Sequence, residues 1–144
     1  MLEVSNIKKN YGHFQLNCDF QVKEGMVTGL LGRNGSGKTT TIKAILGLIF
    51  PYQGQVKFLG QPIDKLSGRD KEKFGVVLSD SNFSRVMTCK DVLAILKRSY
   101  QNFDEQMFKK FVDQQGLPWD KKFENFSTGM QAKLKLITAI SHKA

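Results

Sequence analysis

The chain has 144 residues, a formal net charge of +9, 40% hydrophobic side chains and two cysteines. A chain of this length suits one domain that buries about two thirds of its unfolded surface without staples, and Cys18 and Cys89 have neither disulfide-framework nor metal-ligand spacing, so reduced thiols in a cytosolic protein are expected. There is no signal-peptide core, and the longest apolar run, residues 44–50, is far too short to span a bilayer, so any membrane role is expected to run through a partner. Apart from the pairs Lys8-Lys9, Lys97-Arg98, Lys109-Lys110 and Lys121-Lys122 the positive residues are scattered, with no block of five and no aromatic interleaving. That pattern predicts a solvated basic surface rather than a nucleic-acid groove, and no nucleic-acid partner is expected.

Leu2, Val4 and Ile7 begin an alternating strand, and Phe14, Leu16, Cys18, Phe20 and Val22 continue with period two against Gln15, Asn17, Asp19 and Gln21. One wet and one buried face predict an antiparallel layer, with Lys9-Asn10-Tyr11-Gly12 as the turn between its strands. Glu24-Gly25 marks the next turn, and residues 26–31 form a mostly apolar run suited to a buried parallel strand. It leads into Gly32-Arg33-Asn34-Gly35-Ser36-Gly37-Lys38-Thr39, a G-x-x-x-x-G-K-[ST] motif, followed by Ile42, Ile45, Leu46 and Ile49 at helical spacing. Strand, glycine loop and helix in that order are the context a phosphate-binding loop requires. The glycines let consecutive N–H groups turn toward an anion, and the positive end of the helix faces the same spot. Lys38 is a compact cation for β- and γ-phosphates, and the Thr39 hydroxyl is a hard ligand for the Mg²⁺ that accompanies a nucleotide.

Pro51 and Gly54 break the helix, residues 55–59 read as a short strand, and Gly60-Gln61-Pro62 as a turn. The charged stretch 64–73 is a solvated helix or loop, and residues 74–78 are a second apolar run, expected to be a core strand delivering Ser79-Asp80 to the site. Thr88 and Asp91 have capping-box spacing before a helix faced by Val92, Leu93, Leu96 and Tyr100. Met107, Phe108, Phe111 and Val112 mark another helix that stops near Gly116-Leu117-Pro118, making residues 89–116 a helical insertion in the α/β core. Ser127 then caps a helix whose Met130, Leu134, Ile137 and Ile140 are expected to face a core, and which presents a second anion-binding start.

The glycine loop at residues 32–39 followed by Phe126-Ser127-Thr128-Gly129-Met130 resembles the ATP-binding subunit of a bacterial ABC transporter over the whole 144 residues. The S-x-G-M form of the signature is similar to that of exporters whose membrane-spanning subunits are separate chains. The resemblance implies an α/β fold: a P-loop NTPase core with an N-terminal antiparallel β layer (residues 1–88) and an inserted helical subdomain carrying the signature helix (residues 89–144). It implies an ATPase with ATP and Mg²⁺ as cofactors. The nucleotide would be held by Tyr11 stacking on adenine and by Asn34, Gly35, Ser36, Gly37, Lys38, Thr39 and Thr40, with Thr39 on the metal. Ser127 and Gly129 would reach the γ-phosphate bound by the other subunit of a homo- or heterodimer. Separate transmembrane permease subunits are the implied partners, and the inner face of the cell membrane the implied location.

Three departures shape the expectation. Ser79 stands where the family's Q-loop glutamine belongs, with Asp80 a possible substitute, and Thr128 and Met130 replace the usual glycine and glutamine of the signature. Residues 125–144 contain no Asp or Glu, so neither the Walker B aspartate nor the catalytic glutamate is present. The chain is therefore expected to be the N-terminal portion of a longer subunit, truncated before Walker B and without turnover of its own. His142 is expected to be a solvent-facing helical residue rather than the family's switch histidine. Among rival readings, a small GTPase would need N-K-x-D, which is absent, and a D-x-x-G after a strand. The only D-x-x-G, Asp113-Gln114-Gln115-Gly116, ends a helical pattern. A non-transport ABC-type ATPase finds support only in the basic charge, and a binding-only fragment is the third reading.

Overall fold

The fold is that of a computed structural model, which describes residues 1–12, 14–51, 53–78 and 83–142, with Tyr11 and Phe14 described by backbone only. The chain forms two compact units, Met1–Ser67 and Gly68–Ala144.

In the first unit the period-two sequence closes as a hairpin, β1 (Leu2–Tyr11) against β2 (Phe14–Val22). On the other side of β1 runs β3 (Gln53–Phe58), itself paired with β4 (Gln61–Pro62), so the sheet order is β2-β1-β3-β4 with every pair antiparallel. Lys9, Asn10 and Tyr11 are strand rather than turn, because their pairing with Leu16, Gln15 and Phe14 continues the ladder, and the reversal begins only at Gly12, with φ 70°. A bulge after Val4 puts Asn6 at φ 51°, held by its N–H donating to Asp19 Oδ2 at 3.0 Å. Gly54 backs onto that bulge with φ 97°, where a Cβ would collide with the Asn6 carbonyl.

The sheet buries Val4, Ile7, Leu16 and Val56 against Ala44 and Ile45 of α1 (Lys38–Ile45). The buried face of α1 is Thr41, Ala44 and Ile45, an i, i+3, i+4 set, while Ile42 is exposed and Leu46 and Ile49 lie half-buried beyond the helix end. The expected parallel strand at 26–31 is not one. Its backbone joins no ladder, and Val27 and Leu31 are 102% and 92% exposed. A strand of that composition is stabilised only when neighbours satisfy its backbone and cover both faces, and the one sheet among the described residues lies elsewhere.

The second unit is helical: α2 (Gly68–Lys71), α3 (Cys89–Ser99), α4 (Glu105–Gln114) and α5 (Thr128–Ile140). Cys89, Val92 and Leu96 of α3, Phe108 and Val112 of α4, and Leu134 and Ile137 of α5 meet in one core, closed by Leu117, Phe123 and Phe126. Each of the three long helices starts at a side-chain cap. The Thr88–Asp91 capping box is reciprocal, the Thr88 N–H donating to Asp91 Oδ2 at 2.8 Å and Asp91 N–H to Thr88 Oγ1 at 3.3 Å. That cap holds the Asp91 carboxyl below its ordinary range. Asp104 and Ser127 accept from the N–H groups of Met107 and Met130.

Three expectations fail in this unit. Residues 74–78 form no strand, leaving Val76 and Val77 exposed for want of a pairing neighbour. Ile140 is likewise 39% exposed rather than core-facing. His142 is buried at 3%: once α5 ends at Ile140, the chain tucks inward, the imidazole stacks on Tyr100 at 4.4 Å, and its Nε2 lies 3.1 Å from the Phe74 carbonyl oxygen.

Candidate functional site

The loop into α1 is built by two glycines that only a missing side chain permits. Gly35 has φ 82° and Gly37 φ 94°, left-handed conformations that strain any L side chain. Between them the Ser36 N–H donates to Arg33 O at 3.1 Å, and the Ser36 hydroxyl turns back onto Gly32, where a Cβ would overlap it. Gly37 occupies the N-cap of α1, and no side chain caps the helix. Thr41 supplies the first helical bond, its N–H donating to Gly37 O at 2.8 Å while its hydroxyl donates to the same oxygen at 3.0 Å. The amides of the preceding turn have no helical acceptor, and the positive end of the helix dipole stands behind them.

Lys38 straddles the loop, its Nζ donating to Gly32 O at 2.7 Å and Arg33 O at 2.8 Å. Lys38 also lines a cavity of about 590 Å³. Asn34, Gly35, Gly37, Lys38, Thr39 and Thr40, all expected at the site, line that cavity together with Lys43 and Ile49, which the motif does not mark. Ser36 is the one loop residue of the expected set that is not part of the lining. The signal that finds Lys43 is helical spacing: it follows Thr39 by four residues and so shares its face. Two cations and no carboxylate among the lining residues make the cavity a receptor for anions.

Other expected residues are placed as follows. Ser127 uses its hydroxyl on its own helix, accepting from the Met130 N–H at 3.3 Å. Gln131 Nε2 donates to the carbonyls of Phe123 and Phe126 at 3.4 Å each, tying a 3₁₀ turn, Phe123–Asn125, to α5. At Gly129 a Cβ would meet only Ser127 Oγ, at 4.0 Å. Tyr11 ends β1, while Ser79 and Asp80 lie outside the described residues. Both cysteines are free; burial pushes the Cys89 thiol up to about 11, and burial also raises Cys18, opposed by the Thr41 hydroxyl. Among the described residues no three His, Cys, Asp or Glu side chains cluster to hold a metal, and the side-chain oxygens at the cavity are those of Asn34, Thr39 and Thr40.

An uncapped helix start fronted by left-handed glycines and bridged by a lysine defines a P-loop protein. The chain belongs to the ABC transporter family, whose match covers residues 16–144, and it corresponds to the ATP-binding domain of that family. It is 31% identical to the bacitracin transport ATP-binding protein BcrA of Enterococcus faecalis, over 99% of this chain and 48% of that one. It is 32% identical to the linearmycin resistance ATP-binding protein LnrL of Bacillus subtilis, again over 99% and 48%. The chain thus spans about half the length of the curated relatives it matches. Solved structures share the fold: an ATP-binding subunit of an ABC transporter superposes with TM-score 0.81 at 23% identity, covering 98% of this chain and 62% of that one. The dimeric bacterial ABC transporter cassette MJ0796 gives 0.80 at 22%, covering 99% and 70%.

Proposed function

We propose that this chain binds Mg-ATP through residues 34–40 and, as part of a dimeric ATP-binding subunit, couples ATP hydrolysis to transport through separate membrane-spanning partners. The observation that carries the reading is the uncapped N-terminus of α1 opening, with Lys38, on an acid-free cavity of about 590 Å³. The loop amides and Lys38 would hold the β- and γ-phosphates, Thr39 would offer its hydroxyl to Mg²⁺, which would neutralise phosphate charge, and Tyr11 would stack on the base. Ser127 and Gly129 serve the nucleotide of the other subunit across the dimer, a reading supported by the dimeric state of the MJ0796 cassette. Transport as the output is supported by relatives named for bacitracin transport and linearmycin resistance. No described helix is long and apolar enough to cross a membrane, and the proposed place of action is the inner membrane face, where the membrane-spanning partners would be met. Among the described residues lining the cavity there is no carboxylate to serve as general base, which supports binding without turnover for residues 1–144 by themselves.

Equilibrium titration of labelled Mg-ATP into the chain and into Lys38→Ala tests the reading. The variant is expected to bind at least about tenfold more weakly, the loss of one charge-assisted contact to phosphate. Equal affinities would remove the loop from the site.

A further inference from the structure

We infer that Lys43 is a second cation of the nucleotide site, engaging the α-phosphate and ribose side of the ligand while Lys38 serves the terminal phosphates; this rests on the nucleotide-binding reading above. Lys43 lines the same cavity as the loop. Among the described residues its ammonium has no hydrogen-bond or ion-pair partner, whereas Lys38 is anchored on two carbonyls and Lys73, Lys90, Lys97 and Lys109 are each paired with a carboxylate. The residue is half-buried, its stem packed on the protein where it lines the cavity.

Helix geometry sets which part of a nucleotide it meets. Lys43 shares a face with Thr39 and Thr40, at i+4 and i+3, and its Cα stands about 7.5 Å further along the axis than that of Lys38. Side chains on a helix lean toward its N-terminus, so the long lysine stem brings the ammonium back along the flank of α1 toward Thr40. With the terminal phosphates at the loop, the part of the ligand lying along that flank is the α-phosphate and its ribose. A charge there acts on every nucleotide carrying an α-phosphate. The alternative is a lysine that merely complements the negative end of α1, which lies in the same turn. That role affects stability and leaves ligand affinity alone.

Calorimetric titration of ATP, ADP and AMP into the 144-residue chain and into Lys43→Gln, Lys43→Arg and Lys38→Ala separates these outcomes. Lys43→Gln is expected to weaken all three nucleotides by a similar factor, about five- to tenfold for a half-exposed contact to phosphate. Lys43→Arg restores binding, and Lys38→Ala weakens ATP strongly while sparing AMP. A Lys43→Gln protein that binds within about twofold of the parent, with only its melting temperature lowered, overturns the inference in favour of the dipole role. Selective loss of ATP also overturns it, because it would place the lysine at the γ-phosphate. If the parent fails to bind, or Lys38→Ala binds ATP as the parent does, the underlying nucleotide reading falls and takes the inference with it.

Discussion

Gly32, Gly37 and Gly129 stand near the starts of α1 and α5 with different local constraints, and substitution tells them apart. Gly37 is held at φ 94°, where an added Cβ is strained whatever the surrounding space, so Gly37→Ala is expected to cost about 1 kcal/mol and to distort the cup that receives phosphate. Gly32 needs its missing side chain because the Ser36 hydroxyl occupies that volume. Gly129 has neither need: its φ is not left-handed, and a Cβ would make one ordinary contact. In the first turn of α5 alanine is the better helix former, so Gly129→Ala is expected to leave stability unchanged or raise it by up to about 1 kcal/mol. Urea unfolding of the two variants checks the contrast, and destabilisation by Gly129→Ala would show a local packing role that the structure lacks. With no Cβ at Gly129, the start of α5 is open to close approach, which is compatible with the proposed dimer site.

At the level of elements, α3 and α4 are clamped by one carboxylate. Glu105, at the start of α4, receives Lys109 on its own helix at 2.7 Å and Lys97 from α3 at 2.6 Å. Those two ammonium groups hold the Glu105 carboxyl at about 2, well below its ordinary 4.5. A depressed carboxylate stabilises the fold fully above about pH 4.5 and loses that contribution as pH falls toward 2. Glu105→Gln is therefore expected to melt lower than the parent at pH 7, with the difference closing between pH 4.5 and 2 and shrinking in high salt. Thermal unfolding of both proteins across that range is the measurement; a difference that does not depend on pH would mean the clamp acts through packing alone.

The long helices were legible because their signals are local: Thr88 with Asp91, Ser127 before an apolar helix, and Phe108 with Val112 at one helical face. The glycine loop was legible for the same reason. Residues 26–31 and 74–78 have the composition of buried strands yet form none, because a short apolar run specifies strand only through its neighbours, and neighbours are not written in the run itself. Lys43 went unread since it lies outside the motif and becomes relevant only when α1 curls it onto the Thr39 face. The burial of His142 is not legible in the sequence, because a polar residue at a helix end reads as solvated until Tyr100 and the Phe74 carbonyl are brought beside it.

Taken as a whole, the molecule combines two independent cores with a stretch that belongs to neither. One core lies under the antiparallel sheet and the other among α3, α4 and α5. Residues 26–31, immediately before the phosphate loop, carry Met26, Val27, Leu30 and Leu31 exposed, on a backbone that joins no ladder. An exposed apolar segment whose backbone joins no ladder is a template for pairing with another chain, and the net charge of +9 opposes such contact only where the charges actually stand. Two outcomes follow from the same geometry. Amides 26–31 are expected to exchange with deuterium far faster than those of β1 and β3, because solvent already reaches them. The chain is also expected to self-associate with rising concentration, and Val27→Lys to shift it toward monomer in sedimentation velocity without lowering its melting temperature, since that side chain is fully exposed and supports no core. Slow exchange across 26–31, or a Val27→Lys protein that unfolds more easily than the parent, would mean this segment is packed after all, and the phosphate loop would then be anchored from behind by a buried strand.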